Sequence, residues 1–509
     1  MSKISTNPVF DSSSIKKGPL LFVLIVGAFV AVLNQTIMSV ALPHLMVEFS
    51  IEAAVAQWLT TGYMLVNGVL IPITAYLMQR FTTRELFQSA MVIFLGGTIL
   101  AAIANSFEIL LVGRLIQAAG AGIIMPLLMN VILTIFPPDK RGVAMGVVGL
   151  AIVFAPAVGP AITGYVMEEY SWRTMFQAII PVAALVIILA HFYLKNVAER
   201  LFPKLDIWGM IFSTIGFGMV IYGFSKAGSL GWSNTEVMIS LTVGIVSLAV
   251  FTWQQLRSSS PLLDLRAFKY NMFSLTTIIN IAVTMVMYAD MMLLPLYLQN
   301  ARGYTALESG MLMLPGALLM ALMMPVSGKL FDRFGAKWLS IVGMIITIGT
   351  TIGFVNLTDA TSYNYLLLMS TGRRIGMALF LMPITTAGLN QLPARLNAHG
   401  TAISNTIKQV AGAIGTSLLV TVMTSSTKTH LTDTMVSSGT QTASKEMMIH
   451  ANIQGINDAY LVIVGIGLIG LVLSFFIKRV KQSEEEGVKL PVMNKVPVGL
   501  AHPKELKNT

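Results

Sequence analysis

Residues 328–337 read Gly-Lys-Leu-Phe-Asp-Arg-Phe-Gly-Ala-Lys, and they have a partial copy at residues 75–84, which read Ala-Tyr-Leu-Met-Gln-Arg-Phe-Thr-Thr-Arg. The Leu, Arg and Phe positions of the two stretches coincide. Each stretch follows a long apolar run, so each is read as a short loop between two membrane helices. A loop repeated in this way is typical of transporters built from two related halves.

The composition indicates a protein whose solvent is lipid. The chain has 509 residues, of which 55% are hydrophobic and 11% are charged, whereas soluble domains carry roughly 25% charged residues. The chain contains no cysteine, which excludes disulfides and cysteine-based metal or redox chemistry. The apolar run at 19–42 is too long for the core of a signal peptide, so we interpret it as a retained first helix.

The chain contains fourteen apolar segments that satisfy the ~20 residues needed to cross ~30 Å of hydrocarbon. A helical bundle is expected, since these segments are too long for the strands of a membrane barrel. The segments are 20–43, 57–78, 86–104, 109–131, 143–165, 174–194, 207–227, 236–256, 272–299, 308–328, 338–357, 363–386, 401–424 and 459–477.

The basic residues predict how the bundle is oriented. If both termini are cytoplasmic, the inner loops hold 14 Lys and Arg residues, the two tails hold 10 and the outer loops hold five. This asymmetry is the positive-inside pattern. The net charge of +10 is therefore a topology signal, and it does not argue for a nucleic-acid partner. We expect a multi-pass protein of the inner (cytoplasmic) membrane, in contact with the lipid bilayer.

The two copies of the loop lie eight helices apart, which predicts two six-helix bundles with two helices inserted between them. The segment 425–458 is predicted to be an exposed outer loop, because it is rich in Ser and Thr. The predicted organisation is an N-terminal tail (1–19), a first bundle (20–194), a linker with the two inserted helices (195–271), a second bundle (272–478) and a C-terminal tail (479–509).

Three further stretches carry a resemblance to a known family. Residues 33–43 read Leu-Asn-Gln-Thr-Ile-Met-Ser-Val-Ala-Leu-Pro, residues 114–122 read Arg-Leu-Ile-Gln-Ala-Ala-Gly-Ala-Gly, and residues 155–160 read Ala-Pro-Ala-Val-Gly-Pro. Together with 328–337, they resemble the motifs of the major facilitator superfamily, specifically its fourteen-helix drug:proton antiporters. The residues around Asn34 and at 79–84 are closest to the lincomycin-type multidrug exporters.

The resemblance covers about residues 18–480 and implies the major facilitator fold and proton-coupled export of drugs or other amphipathic small molecules. It also implies a gating role for the loop residues Gly328, Asp332 and Arg333. The helix 5 motif implies a hinge at Pro156, Gly159 and Pro160, since prolines remove backbone hydrogen bonds and glycine allows close packing. A fixed structural kink is the alternative.

The chain departs from the family pattern at three positions. Asn34 stands where the first-helix motif carries an acid, and Gln79 and Thr82 replace the acid and the glycine of the first loop copy. Gating by that first copy is therefore in doubt.

Charged residues inside membrane helices are costly and usually face a cavity or a partner. Asp290 is the one acid well inside a predicted helix, ~13 Å from the outer end. Arg114 lies ~8 Å and Asn34 ~13 Å from the same surface. We predict a proton-coupling site made of Asp290 and Arg114, since burial favours the neutral carboxyl group and a nearby guanidinium favours the ionised one. A static Asp–Arg clamp is the alternative.

The other polar residues of the predicted helices are candidates for a substrate cavity. Arg373 and Arg374 project about 100° apart on one helix, so only one of them is expected to face the cavity, and Lys408 has a helix-packing alternative. The interior then counts one acid against four bases, which favours neutral, zwitterionic or anionic substrates over dications. Helix-to-helix hydrogen bonds are the alternative for the neutral residues. The cavity candidates are Asn34, Gln57, Trp58, Tyr63, Asn67, Gln117, Asn130, Arg373 and Arg374.

Other functions on the same scaffold stay open. A dedicated exporter of a metabolite, lipid or nucleotide signal is the main alternative, followed by an uptake symporter and a non-transporting membrane receptor. The sequence has no nucleophile–base pair, no metal-ligand cluster and no Walker loop, so we expect no enzyme activity, no cofactor and no metal. The expected partners are a small-molecule substrate and protons, and the protein is expected to act as a monomer.

Overall fold

The structure, a computed structural model, describes residues 17–197, 200, 204–438 and 444–478. In this part of the chain every regular element is a helix, and fourteen helices have 17 or more residues. They are Lys17–Glu48 (α1), Trp58–Arg80 (α2), Thr83–Ala102 (α3), Phe107–Ile135 (α4), Arg141–Glu169 (α5), Arg173–Tyr193 (α6), Ile207–Leu230 (α7), Thr235–Arg257 (α8), Asn271–Leu296 (α9), Ala306–Phe334 (α10), Ala336–Ile352 (α11), Tyr363–Asn390 (α12), Asn397–Ser438 (α13) and Lys445–Ser474 (α14).

Each predicted apolar segment overlaps one of these helices. Twelve helices of the described chain are long and apolar enough to cross a membrane. The other two are α11, which is apolar but has only 17 residues, and α5, whose side chains are described only in part. Apart from residues 17–19, the predicted tails (1–19 and 479–509) lie outside the described residues.

Many residues of the segment 425–458 are exposed, but the prediction of a loop there is wrong, because α13 and α14 extend through most of it. The Ser and Thr hydroxyls of the extension donate to carbonyls of their own helix, as Thr429 does to Ser425. The two helices also bond to each other, since Asp458 accepts hydrogen bonds from Ser426 and His430. Tertiary pairing of this kind overrides the weak helix propensity of Ser and Thr.

We call the end of the bundle at which α1 begins the proximal face and the opposite end the distal face. Helices that are consecutive in the chain run in opposite directions between the two faces. At the proximal face, Thr83 at the start of α3 donates its backbone N–H to Asn196, which follows α6. At the distal face, Arg173 at the start of α6 donates to the carbonyl of Ala104, which follows α3.

The first half (α1–α6) and the second half (α9–α14) pack against each other through specific helix pairs. α5 lies along α10, while α13 contacts α2 and α4. The contact of α5 with α10 is close because Gly142 and Gly146 bring the backbones together, and a Cβ on Gly146 would lie 2.5 Å from the carbonyl oxygen of Met324. Gly142 and Gly146 both lie in the proximal part of α5.

α7 lies between the two halves and α8 packs on α7. At the distal face the Tyr222 ring of α7 stacks on Trp58 of α2 at 5.7 Å, and Trp232 donates to the Thr421 hydroxyl of α13 at 2.8 Å. At the proximal face the Asp206 carboxylate accepts hydrogen bonds from both Gln254 and Gln255 at the end of α8. The distal contacts therefore attach the α7 end to α2 and α13, and the proximal bonds attach the start of α7 to the end of α8.

The two copies of the repeated loop have different backbone conformations. Gly335 joins α10 to α11 with a φ of +79°, a conformation that residues with a side chain rarely adopt. At the matching position Thr82 has a φ of −68°, and its side chain caps α3 in a capping box with Glu85. The replacement of Gly by Thr thus changes a left-handed turn into an ordinary helix start.

Candidate functional site

Arg114 lies fully buried in α4 and is the centre of a polar network. Its Nη1 group donates to the backbone carbonyl of Asn34 at 3.2 Å and to the Asn34 side-chain oxygen. The same nitrogen donates to Gln117 at 3.0 Å, and Gln117 in turn donates to the Thr98 hydroxyl at 2.9 Å. The structure therefore brings together three residues that the sequence placed in the site: Asn34, Arg114 and Gln117.

Tyr63 of α2 completes this network. The guanidinium of Arg114 lies 4.3 Å from the centre of the Tyr63 ring, a cation–π distance, and the Tyr63 hydroxyl donates to the carbonyl of Ala31 at 3.4 Å. The other four side chains of the network, which are Asn34, Tyr63, Thr98 and Gln117, are all neutral. Among the described residues, no carboxylate is within ion-pair distance of Arg114.

Two donor groups of the network have no acceptor among the described residues. They are Nη2 of Arg114 and Nδ2 of Asn34, both of which are buried. Buried donors without a partner are costly, so the network has capacity for one more acceptor. A carboxylate would be such an acceptor.

Asp290 lies in α9, and its side chain is outside the described part of the structure. α9 packs against α12, α13 and α14, whereas the α4 helix of Arg114 packs against α1, α2, α3 and α13. The predicted clustering of Asp290 with Arg114 therefore stays a prediction.

The remaining neutral candidates are spread along α2 and α4. Gln57 is exposed at the distal face, and Trp58 stacks on Tyr222 of α7. Asn67 is half-buried where α2 crosses α4, and Asn130 is buried near the proximal end of α4. Among the described residues, none of these four is hydrogen-bonded to the Arg114 network, so their role in a substrate cavity stays a prediction.

Arg373 and Arg374 diverge, in agreement with their predicted 100° separation. The Arg373 guanidinium is fully buried, 4.7 Å from the ring centre of Phe354 and 5.5 Å from that of Tyr460. Arg374 is half-buried and its side chain lies against Gly316 of α10. The aromatic rings of α14 and of the turn after α11 therefore hold Arg373 within the second half.

Asp332 joins the two halves at the proximal face. Its carboxylate oxygens accept hydrogen bonds from the backbone N–H groups of Gly142 at 2.8 Å and Val143 at 3.0 Å. N–H groups in the first turn of a helix have no acceptor within that helix, and the helix dipole favours a negative charge there. Gly328 lies one turn away and contacts the Gly142 carbonyl so closely that no side chain could be accommodated. Arg333 is exposed, with its guanidinium 5.1 Å from the Phe334 ring centre.

Sequence reasoning missed two other contacts at this junction. Arg141, which lies between the predicted segments 109–131 and 143–165, is buried and donates to the Asn390 side chain of α12 at 2.9 Å. Gln79 contacts His399 of α13 at 2.6 Å between the side-chain nitrogens. The degenerate first loop copy therefore still contacts the second half, through a neutral pair. No local signal in the sequence pointed to these pairs, because their members lie 249 and 320 positions apart.

The predicted hinge of α5 is continuous helix from Arg141 to Glu169. Gly159 is buried, and a Cβ there would lie 2.6 Å from the Thr36 hydroxyl of α1, so this glycine permits the contact of α5 with α1. Pro156 is half-buried, and the Pro160 side chain is outside the described part. A hinge at these positions stays a prediction.

Comparison with known proteins identifies the family. The model of the Major Facilitator Superfamily matches residues 24–416. The chain belongs to the major facilitator superfamily. As a member of this superfamily it is a multi-pass membrane transporter, not an enzyme, and the family resemblance found in the sequence is confirmed.

Two relatives from Bacillus subtilis (strain 168) cover nearly the whole chain. The uncharacterized MFS-type transporter YhcA is 45% identical, over 96% of this chain and 97% of the relative. The lincomycin resistance protein LmrB is 42% identical, over 92% of this chain and 98% of LmrB. The crystal structure of the human organic anion transporter MFSD10 (TETRAN) has a TM-score of 0.64 at 12% identity, over 90% of this chain and 99% of MFSD10. At that identity the likeness shows the major facilitator fold alone.

Proposed function

We propose that this protein is a proton-coupled antiporter that exports drugs or other amphipathic small molecules. The observation that carries the proposal is the buried Arg114 network at α1, α2 and α4, which holds a cation at membrane depth among neutral partners. Ionisable groups in this position are a mark of ion or substrate pathways. The relative named for lincomycin resistance supports drugs as the substrate class.

In this proposal the structure represents the state that is closed toward the cytoplasm. All fourteen long helices cross the membrane, with both termini cytoplasmic, so the proximal face is the cytoplasmic one. The bonds of Asp332, Arg141 and Gln79 across the halves then close the cytoplasmic side. Rocking of the first bundle against the second would break them and open the site inward.

Asp290 is proposed as the proton carrier, with Arg114 as the group that senses its charge state. A carboxylic acid can cycle between its protonated and ionised forms as access alternates between the two sides. Arg114 lacks a described carboxylate partner in this state, so an ionised acid that approached it would be stabilised. We further propose that the protein works as a monomer in the cytoplasmic membrane.

The test uses inverted membrane vesicles that contain the full chain and a fluorescent probe of the internal pH. We expect that a transported drug releases protons from energised vesicles of the wild type, and that Asp290→Asn abolishes this release. The panel contains three compounds, namely lincomycin, one neutral drug and one cationic dye. Drug binding to the purified variant serves as the control for folding.

Two results would contradict the proposal. Drug-driven proton release by Asp290→Asn at the wild-type rate would exclude Asp290 as the carrier. Drug accumulation that persists after the proton gradient has been collapsed would exclude proton coupling altogether. Transport of a single metabolite or lipid, with no transport of the drugs and the dye, would favour the dedicated exporter.

A further inference from the structure

A half-buried cation inside a helix, Lys408, lies in the second half and has no role in the proton-coupling scheme. It is eleven positions from the proximal start of α13, or ~17 Å along the helix. Its Nζ group donates to the Thr385 hydroxyl of α12 at 2.9 Å. The Thr385 hydroxyl lies 3.1 Å from both the Asn280 side-chain oxygen of α9 and the Leu381 carbonyl of its own helix, and it shares its one proton between these two acceptors. Lys408, Thr385 and Asn280 thus form a polar triad where three helices meet.

The triad does not neutralise the lysine. An ammonium group has three donors, and a single hydrogen bond from Lys408 is found among the described residues. No described carboxylate is within ion-pair distance of it. Asp290 is not a natural partner, because its backbone lies ten positions beyond Asn280 on α9, or ~15 Å toward the distal face.

The neighbours of Lys408 place the triad at the boundary between the halves. One turn before it on α13, Asn405 donates to the sulfur of Met129 on α4 at 3.4 Å. The next residue, Gln409, lies against Gly68 of α2. Thr385 and Asn280 are buried, but Lys408 itself is half-buried, so part of its side chain reaches accessible space. Sites near the membrane midplane, between the two repeats, are where transporters hold their substrates.

We infer that Lys408, Thr385 and Asn280 form a subsite for a negatively charged group, such as a carboxylate, on the transported molecule. A carboxylate that docks there would accept charge-assisted hydrogen bonds from the two unused donors of Lys408. Thr385 positions the ammonium and Asn280 positions Thr385. The inference rests on the proposed export function in one respect, because it takes the bound molecule to be the transported substrate.

The experiment measures binding of three aromatic scaffolds (naphthalene, coumarin and quinoline) to the full chain in lipid nanodiscs. Each scaffold is offered as its carboxylate and as its neutral primary carboxamide, so that the members of a pair differ in charge and little else. On at least one scaffold we expect the carboxylate to bind about tenfold more tightly than the amide, because a charge-assisted hydrogen bond is stronger than a neutral one.

Lys408→Met should remove this preference while amide binding is retained, and Lys408→Arg should keep most of it. Thr385→Val, which loses the positioning hydroxyl, should reduce it in part. Lys428→Met is the matched control, because Lys428 lies on the same helix but is exposed. It should leave both affinities unchanged. Amide binding by each variant reports on folding.

The subsite is wrong if no scaffold binds more tightly as its acid, or if Lys408→Met weakens acid and amide alike. The second outcome would mean that Lys408 only fastens α13 to α12. If only the export proposal failed, binding would still show the preference for the carboxylate, but no drug would be transported in vesicles. Export of a neutral drug with no charge preference would overturn the subsite alone.

Discussion

Replacement of Asp332 by Asn is expected to weaken the proximal junction without a change in its shape. The Asp332 carboxylate accepts two backbone N–H groups at the start of α5. Asn keeps one acceptor oxygen but loses the charge, and its NH₂ group faces a backbone donor. The loss of a cap at a helix N-terminus costs about 1 kcal/mol. Removal of a partly buried negative charge from the helix dipole costs up to about 1 kcal/mol more.

The sum of about 2 kcal/mol corresponds to a roughly 30-fold change in the equilibrium between the closed and the opened junction. Gln79 gives a matched comparison, because its contact with His399 also joins the halves but is neutral. The loss of a neutral hydrogen bond costs about 1 kcal/mol, so Gln79→Ala should change the same equilibrium only roughly fivefold.

Accessibility of a single cysteine measures this equilibrium, since the native chain contains none. Met324 is a suitable reporter position, because it is fully buried on α10 against Gly146 and Gly149 of α5. In a Met324→Cys background, Asp332→Asn should raise the rate of labelling by a water-soluble maleimide roughly 30-fold. Labelling is done on purified protein in nanodiscs.

The outcome that refutes the reasoning is an unchanged labelling rate in Asp332→Asn, or an equal increase in Gln79→Ala. Either would mean that the charge on Asp332 does not hold the halves together. Lys329→Gln provides the surface control, because Lys329 is exposed beside the same junction. It should label at the background rate.

Three further substitutions test other parts of the molecule. Gly328→Val should hold the halves apart, because its side chain would overlap the backbone of Gly142; the cysteine reporter should then label faster than with Asp332→Asn, and slower labelling would be inconsistent with this clash. Asn34→Asp would give Arg114 a charged partner, so we expect a rise of a few degrees in unfolding temperature and a shift of efflux toward cationic drugs, while unchanged drug preference would speak against a role in recognition. Asp206→Asn should free the proximal end of α8, measured as faster hydrogen exchange in that helix alone, and exchange that rises equally in α5 would point to a global effect.

The number and approximate bounds of the long helices could be read from the sequence because the hydrophobic requirement is local. Every membrane helix must provide enough consecutive apolar residues to cross the lipid, whatever it packs against. This reasoning did not predict that α13 continues to Ser438 or that α14 begins as early as Lys445. Hydrogen bonds between the two helices, such as that from His430 to Asp458, stabilise these polar segments, and such pairing leaves no hydropathy signal.

The candidate site was predictable in its members but not in its connections. Arg114 and Asn34 stood out because polar groups are rare in apolar segments, and the structure joins them directly. Arg373 was equally conspicuous, yet two aromatic rings hold it inside the second half. A single sequence cannot distinguish the two cases, since both present an arginine within an apolar helix.

The sequence by itself determined the solvent and the class of fold, because these follow from hydropathy and from motifs read within short windows, while the division into two six-helix bundles stays a prediction. Only the tertiary structure decided which residues meet across the halves. Asp332 contacts the start of α5, and Arg141 contacts Asn390, although these partners lie 190 and 249 positions apart. Such pairs depend on the relative placement of whole helices. That placement is the outcome of many small packing contacts, such as those of Gly142 and Gly328, and not of any local pattern.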